Sequence, residues 1–236
     1  MTYGFRSCWC DARDAANFRL RRNIGDPTTT SGDNFMKRVL VVLFAVIGMA
    51  LLDNCVSKDM VRSSAAAPQR VPGKAMVVFM RPFRMGGAIQ SSVYDTTNGN
   101  NVFIGIVSSG TKVTYQADPG THLFMVVGKN ADFMNASLDA GKTYYVLVSP
   151  RMGMWKARFS LLPIHNDASA KYNLKSPEFS QWQRDTNFVE KSGSANAWYS
   201  AHAADIATKQ ADYMQRWNTA SAEQKAELTL RPEDGI

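Results

Sequence analysis

The sequence predicts a mainly β protein, an antiparallel β-sandwich of about eight short strands with a helical C-terminal appendage. Two observations indicate this class. Between 74 and 164, short aliphatic and aromatic runs recur at intervals of roughly 8–12 residues, with turn residues and no helical pattern between them. After 165 the chain becomes more polar and takes on helical spacing. We therefore expect a sandwich domain over 74–164 and a helical region over 165–236.

The strands are predicted from apolar runs that stop at turn or breaker residues. The first run ends at Arg81-Pro82, because proline cannot donate a ladder hydrogen bond. Asn98-Gly99 is a strong hairpin signal, and Asp118-Pro119-Gly120 has proline and glycine where a type II turn needs them. The predicted strands cover 75–80, 89–94, 102–107, 112–115, 121–127, 132–138, 143–148 and 154–162.

The C-terminal region contains helix start signals and an aromatic stripe. Ser176 is a predicted N-cap before Pro177, and Ser221 opens a capping box with Gln224. From Asn196 onward, aromatic residues recur near helical spacing, which favours docking of this helix on the sandwich. A partner-binding face is the alternative. The partner-binding candidates are Trp198, Tyr213 and Trp217, together with Arg81, which could instead pair with a carboxylate or cap carbonyl groups at its strand end.

The start of the chain contains the pattern of a secretory signal peptide, predicted over 36–54. Lys37-Arg38 precede an uncharged apolar run over 39–52, which is short for a membrane span because a helix needs roughly 20 apolar residues to cross a bilayer. Met36 offers a natural start, so 1–35 is predicted to be a non-native N-terminal extension from an upstream start codon. The alternative is a cytoplasmic tail on a signal-anchor.

Cys55 follows the apolar run and is the predicted lipidation site. The segment Leu52-Asp53-Asn54-Cys55 resembles the lipobox of bacterial lipoproteins, in which the cysteine is lipidated and becomes the mature N-terminus. Leu52 matches that pattern, whereas Asp53 and Asn54 stand where small residues are usual. The alternatives are cleavage after Ala65-Ala66-Ala67 and an unmodified cysteine. Residues 55–73 are short of large apolar groups and are predicted to be a tether.

A family resemblance agrees with export. Three motifs carry it: Phe79-Met80-Arg81-Pro82 with Gly86-Gly87 after it, Asp118-Pro119-Gly120-Thr121-His122, and Ala140-Gly141-Lys142-Thr143-Tyr144-Tyr145-Val146. Over about 74–164 the chain resembles an uncharacterised domain family of bacterial exported lipoproteins, domain of unknown function twenty-eight forty-six. The resemblance implies an exported lipoprotein. The family has no assigned catalytic residues, so it implies no catalytic site here.

Composition limits the function classes. The 236 residues are 45% hydrophobic and carry a formal net charge of +7, which is ordinary for a globular, mildly cationic protein. Three cysteines, only one of them after position 10, exclude a disulfide-stapled fold and a cysteine-based zinc site. Basic and acidic residues are interspersed, so we expect no nucleic-acid partner. No common catalytic motif occurs, so we expect neither an enzyme nor a cofactor.

Two chemical alternatives remain open in the sequence. Met152 and Met154 could hold Cu(I), because soft sulfur ligands select it, with His122 or Met85 as a further ligand. His165 and Asp167 could form a metal pair, or a base with its orienting carboxylate. These residues define the alternative function, a periplasmic metal-handling or hydrolytic protein.

The main functional prediction is an exported, lipid-anchored protein of the bacterial cell envelope, either an outer-membrane or a periplasmic lipoprotein. It is expected to act as a non-enzymatic interaction or structural module. Its predicted partners are the membrane, reached through the N-terminal lipid anchor, and an envelope protein or cell-wall polymer. A cationic domain near a membrane is suited to anionic head groups or to such a polymer.

Overall fold

Two facing β-sheets, three α-helices and a short 3-10 helix over Pro232–Asp234 are present in the part of the protein that the structure describes. The computed structural model describes residues 56–64, 68–83, 89–151 and 158–236, which lie within the unit Cys55–Ile236. The described strands are β1 Met60–Arg62, β2 Ala75–Arg81, β3 Ser91–Asp95, β4 Val102–Val107, β5 Thr111–Ala117, β6 Gly120–Val127, β7 Ala131–Leu138, β8 Thr143–Arg151, β9 Arg158–Ile164, β10 Asn187–Lys191 and β11 Thr229–Leu230.

The first sheet has the strand order β1-β10-β5-β2-β8-β9, and the second has the order β11-β7-β6-β3-β4. Most neighbours are antiparallel, but β2–β8, β10–β5 and β11–β7 are parallel pairs. The predicted mainly β sandwich with a helical C-terminal part is therefore confirmed, and its sheets are mixed. The parallel pairs join strands that are far apart in the sequence, which hairpin signals do not reveal.

The main core lies between the two sheets. Phe79 of the first sheet and Phe124 of the second meet edge to face with ring centroids 5.2 Å apart. Strand β2 is apolar along almost its whole length because both of its faces are covered. Its Val77 and Phe79 belong to the inter-sheet core, and its Met80 packs in a second cluster with Phe179 on the other face.

The helices are α1 Pro177–Asp185, α2 Ala195–Thr219 and α3 Ala222–Glu227. Ser176 caps α1 by accepting a hydrogen bond from the Phe179 amide at 3.1 Å, with Pro177 in the first turn, as predicted. Ser221 and Gln224 form the predicted capping box at the start of α3. Helix α1 packs on the outer face of the first sheet through Phe179. Helix α2 packs on the second sheet through its aromatic residues.

Two domain predictions need correction, because the sheets extend past both ends of 74–164. Strand β1 lies in the segment predicted to be a tether, and it pairs with β10 as Met60 pairs with Lys191. Strands β10 and β11 lie in the region predicted to be helical, and they join the first and second sheets respectively. Strands β1, β10 and β11 have three, five and two residues, which is too short to show a recognisable alternation of apolar and polar residues in the sequence. They form because distant strands satisfy their backbone hydrogen-bonding groups.

Candidate functional site

The aromatic stripe of α2 faces the sandwich. Tyr199 stacks on Phe103 with ring centroids 5.4 Å apart, Trp198 lies against the same ring at 5.6 Å, and Trp217 lies 6.0 Å from Phe133. The Tyr199 hydroxyl also donates to the Asn101 carbonyl at 2.8 Å. These contacts dock the helix on the protein itself.

Trp198, Tyr213 and Trp217, the predicted partner-binding candidates, therefore take part in docking within the chain. All three are half-buried and pack against the main core. The helical spacing of an aromatic stripe indicates that it packs, but it does not distinguish a sheet of the same chain from a separate protein.

Arg81 is also corrected as a partner-binding candidate, because its side chain is fully buried at the end of β2. Its guanidinium donates to the carbonyl oxygen of Ile89 at 2.6 Å and lies over the Phe159 ring at 4.6 Å from the centroid. Burial lowers the pKa of Arg81 to about 10, so the group stays charged at neutral pH. The residue thus caps backbone carbonyls at a strand end, which is one of the roles that the sequence suggested.

His122 sits in β6 between two acceptors. Its Nδ1 lies 2.8 Å from a carboxylate oxygen of Asp95, and its Nε2 lies 2.8 Å from the Asp118 carbonyl oxygen. Because a carboxylate and a carbonyl oxygen can only accept, this arrangement favours a ring that is protonated on both nitrogens. The ring stacks on Phe124, with centroids 5.5 Å apart and planes 4° from parallel.

The surroundings of His122 favour this charged form. The hydrogen bond to Asp95 raises the pKa of His122 against the opposing effect of burial, and the Asp118 carbonyl adds to the rise. Burial alone would raise the pKa of Asp95, but hydrogen bonds from His122 and Thr97 outweigh it and hold that pKa below its usual value. Both ring nitrogens are thus directed at oxygen acceptors, and the methionines predicted to share a copper ion with His122 lie outside the described residues.

His165 pairs with a carboxylate, but not with the one that was predicted. Its Nδ1 lies 2.9 Å from Asp234, near the C-terminus, whereas Asp167 accepts from the Ser169 amide and hydroxyl. Asp234 is 2% exposed and also accepts hydrogen bonds from the Asn166 and Arg231 amides at 3.1 and 2.8 Å. The prediction of a functional His165–Asp167 pair is therefore wrong, since Asp234 is the carboxylate that orients His165.

The His165–Asp234 pair holds the C-terminal segment, residues 231–236, on the sandwich. Ile236 and Thr143 exchange backbone hydrogen bonds at 2.7 and 3.0 Å, and the Pro232 carbonyl accepts from the Lys142 ammonium at 2.9 Å. Burial would raise the pKa of Asp234, but hydrogen bonds from His165 and from two backbone amides outweigh it and hold that pKa below the usual value. The pair therefore has a clear structural role.

An open cleft of about 320 Å³ lies beside the end of α1. Lys112 reaches into this region and donates to the Gln183 backbone oxygen at 2.9 Å and to its side-chain oxygen at 3.1 Å. A lysine bonded to one of the last carbonyls of a helix is stabilised by the negative end of the helix dipole. The contacts of Lys112 are thus those of a helix cap.

The chain enters the fold through a turn at residues 56–60, which we call the N-terminal turn. Val56 packs against the main core, and Ser57 and Asp59 are buried. The Met60 amide donates to the Ser57 carbonyl at 2.9 Å, and Asp59 accepts a hydrogen bond from the Ser194 hydroxyl at 2.8 Å at the start of α2. Sequence analysis missed this turn because its residues are mostly polar.

Several predictions fall outside the described residues. They concern the extension over 1–35, the signal peptide over 36–54, the lipidation site Cys55, the cleavage site Ala65-Ala66-Ala67 and the methionines Met85, Met152 and Met154. Within the described ranges, no helix is long and apolar enough to cross a membrane. The same ranges contain no group of three or more His, Cys, Asp or Glu side chains that could hold a metal ion.

Comparison with known proteins finds that no family model and no curated protein matches this chain.

Proposed function

We propose that the protein is an exported, lipid-anchored component of the bacterial cell envelope, whose β-sandwich acts as a non-enzymatic interaction or structural module. The lipid anchor is attached at Cys55. The observation that carries the proposal is the order of three features along the chain: the basic pair Lys37-Arg38, the apolar run over 39–52, and a cysteine three residues after it.

The fold supports this position for the anchor. The first described residue after Cys55 is Val56, and it already packs against the main core. A mature chain that starts at Cys55 therefore keeps every described strand and helix. A chain cut after Ala67 would lose Met60, which is 4% exposed in the core, and the whole of β1. The folded domain thus favours Cys55 over the alanine site.

Attachment of the anchor is a group transfer from a phospholipid. The Cys55 sulfur forms a thioether bond to the terminal carbon of a diacylglyceryl group, the carbon–oxygen bond to the head-group phosphate breaks, and the phosphate leaves with the thiol proton. Hydrolysis of the Asn54–Cys55 peptide bond then frees the Cys55 amino group. The sulfur atom is essential to the first step, which makes serine the appropriate substitution for a test.

The arrangement of His122 supports a non-enzymatic role. Both ring nitrogens of His122 donate to acceptors, His165 is held by Asp234 at the C-terminal segment, and Nδ1 of His202 lies 2.7 Å from the Trp198 carbonyl oxygen. Each ring thus has a structural partner within the sandwich or α2. A general base needs a free ring nitrogen next to a nucleophile, which is a different arrangement from that of His122.

The membrane anchor is tested by expressing the full chain in a Gram-negative host and partitioning the protein between detergent and aqueous phases. The native chain is expected in the detergent phase, and Cys55→Ser is expected to shift it to the aqueous phase or to leave it unprocessed. Cys8→Ser with Cys10→Ser is the matched control, because the same change upstream of the apolar run leaves the anchor intact. Equal partitioning, with masses that differ only by the substitution of sulfur by oxygen, would overturn the proposal.

A further inference from the structure

We infer that the N-terminal turn and the loop beside it form a membrane-contacting face, held against the head-group layer of the bilayer that carries the anchor. The inference rests on the proposed lipidation of Cys55. The face comprises Val56, Lys58, Lys191 and Gly193. Its partner is the anionic phospholipid surface.

The distance between the anchor and the fold carries this inference. Val56 is the residue directly after Cys55, and it packs against the main core. Lys58 lies three residues from Cys55, which is at most roughly 11 Å of extended chain. No flexible spacer separates the acyl chains from the sandwich, so the domain cannot move away from the lipid surface.

Hydrogen bonds and packing hold the N-terminal turn in the fold, so it does not act as a spacer between the anchor and the sandwich. The Met60 sulfur accepts a hydrogen bond from the Ile106 amide at 3.4 Å inside the core. The Ser192 amide donates to the Asp59 carbonyl at 3.1 Å, and the Asp59 carboxylate sits at the start of α2, where the helix dipole favours a negative charge. Releasing the turn would expose Met60 and separate Asp59 from these donors.

The charge of the membrane-contacting face also suits an anionic phospholipid surface. Lys58 is exposed at the apex of the turn, whereas the exposed Lys191, which pairs with Met60, also donates from its ammonium to the Phe103 carbonyl at 3.2 Å. Arg62 follows at the end of β1, and the exposed Glu190 pairs with Val61 between Met60 and Arg62. The Asp59 carboxylate is buried and bonded to Ser194. The exposed charge of the face is therefore mainly positive, which attracts it to anionic head groups.

The test uses single cysteine labels on the lipidated protein. Because the chain has cysteines only at 8, 10 and 55, a mature chain acylated at Cys55 has no free thiol until one is introduced. Lys58→Cys and Gly193→Cys place a fluorophore on the face, and a Cβ at Gly193 meets nothing within 4 Å. Ala168→Cys is the matched control, since Ala168 is exposed just after β9, at the opposite edge of the first sheet from β1.

The protein is reconstituted in vesicles of phosphatidylethanolamine and phosphatidylglycerol that contain a head-group-linked quencher. Lys58 lies near the anchor, and Ala168 lies roughly 24 Å across the sheet, so quenching at Lys58→Cys and Gly193→Cys should exceed that at Ala168→Cys by at least about threefold. A Gly/Ser linker of about ten residues between Cys55 and Val56, with a root-mean-square span of roughly 17 Å, should remove most of this excess.

Two failures can be told apart because the intact mass of each preparation is measured first. A protein without acyl chains overturns the proposed anchor and the inference with it. An acylated protein whose labels at 58 and 193 are quenched no more than the label at 168 leaves the anchor in place and overturns the membrane-contacting face. Excess quenching that the linker does not reduce also overturns it, because the contact would then not depend on the short connection.

Discussion

The two best-defined histidine–carboxylate pairs of the protein use the same chemical groups in different ways. In the His122–Asp95 pair, both ring nitrogens donate to acceptors and the ring stacks on Phe124 inside the sandwich. In the His165–Asp234 pair, the carboxylate is the more buried partner and collects three donors from two separate parts of the chain. The first pair joins neighbouring strands β3 and β6, and the second joins the end of β9 to the C-terminal segment.

This difference shows how each pair contributes to folding. His122 and Asp95 lie on strands that pair directly, so their ion pair adds to a ladder that is already formed. His165 and Asp234 are 69 positions apart and hold a segment that bridges the sandwich, since Leu230 pairs with β7 and Ile236 bonds to Thr143 of β8. We therefore expect loss of the first pair to reduce global stability, and loss of the second to loosen the C-terminal segment first.

Asp95→Ala should have the largest effect. Removing one partner of a buried ion pair leaves an uncompensated charge and typically costs about 3–5 kcal/mol, and Asp95 is 5% exposed. His122 can lose its proton in the variant, so the full loss should appear only at low pH. Urea unfolding of the variant measures the change.

Asp205→Ala is the control, because that carboxylate is 56% exposed and its pair with Lys209 is a surface ion pair, worth about 0–1 kcal/mol. A stability of Asp95→Ala within the range of this control would show that the buried pair does not stabilise the sandwich.

Asp234→Asn should have the next largest effect. The amide keeps one acceptor but loses the charge that strengthens three hydrogen bonds, so we expect a loss of about 1.5–3 kcal/mol. Hydrogen exchange should show faster exchange at the Ile236 and Thr143 amides, with little change in β6. Glu233→Gln is the control, because this neighbouring carboxylate is exposed. Exchange that rises equally in β6 and at Ile236 would contradict a local role for the pair.

The pH dependence of stability should also differ between the two pairs, with a smaller effect than that of Asp234→Asn. The raised pKa of His122 means that the folded state holds this proton more tightly than the unfolded state, whose value is near 6.5. The contribution of His122 to the free energy of unfolding is therefore complete below that pH, and it is lost as pH rises through the pKa of His122 in the folded state. The lowered pKa values of Asp95 and Asp234 have the opposite effect. Each carboxylate stabilises the folded state above its pKa in the unfolded chain, and this stabilisation is lost as pH falls through its pKa in the folded state.

Urea midpoints measured from pH 5 to pH 9 test this dependence. The double variant His122→Gln with Asp95→Asn should lose the fall in stability on the alkaline side, while Asp234→Asn should keep it. An alkaline fall of equal size in both variants would show that another group is responsible.

Thr97→Val should have the smallest effect of the set. The Thr97 hydroxyl donates to Asp95 and accepts from the Leu123 amide at 3.0 Å, so the variant loses support for the carboxylate without losing the ion pair. We expect a loss of about 1 kcal/mol in thermal or urea unfolding. Thr121→Val, an exposed threonine in the same strand as His122, should change stability by less than about 0.5 kcal/mol. Equal effects of the two changes would contradict a supporting role for Thr97.

Local sequence signals predicted much of the fold. The eight predicted strands correspond to β2 through β9, and the Asn98-Gly99 hairpin has Gly99 at φ +76°, a conformation that glycine adopts without strain. Strands β1, β10 and β11 could not be predicted, because each is short and forms only against a distant strand. The same reason explains the missed carboxylates, since Asp95 lies 27 positions from His122 and Asp234 lies 69 from His165.

The candidate site shows the limit of residue spacing as a guide. His165 and Asp167 are neighbours in sequence, yet Asp167 closes its own turn with Ser169 while His165 bonds to Asp234. Aspartate two residues before a serine favours such a local turn, because its short side chain reaches the following amides. Sequence proximity alone therefore predicted the wrong partner.

The intact mass of the protein expressed from the full chain in a Gram-negative host tests the central claim most directly. The account predicts a species that begins at Cys55 and carries acyl chains. A soluble species that begins near Pro68 would contradict the anchor, and an unprocessed chain that begins at Met1 would contradict both the cleavage and the assignment of 1–35 as a non-native extension.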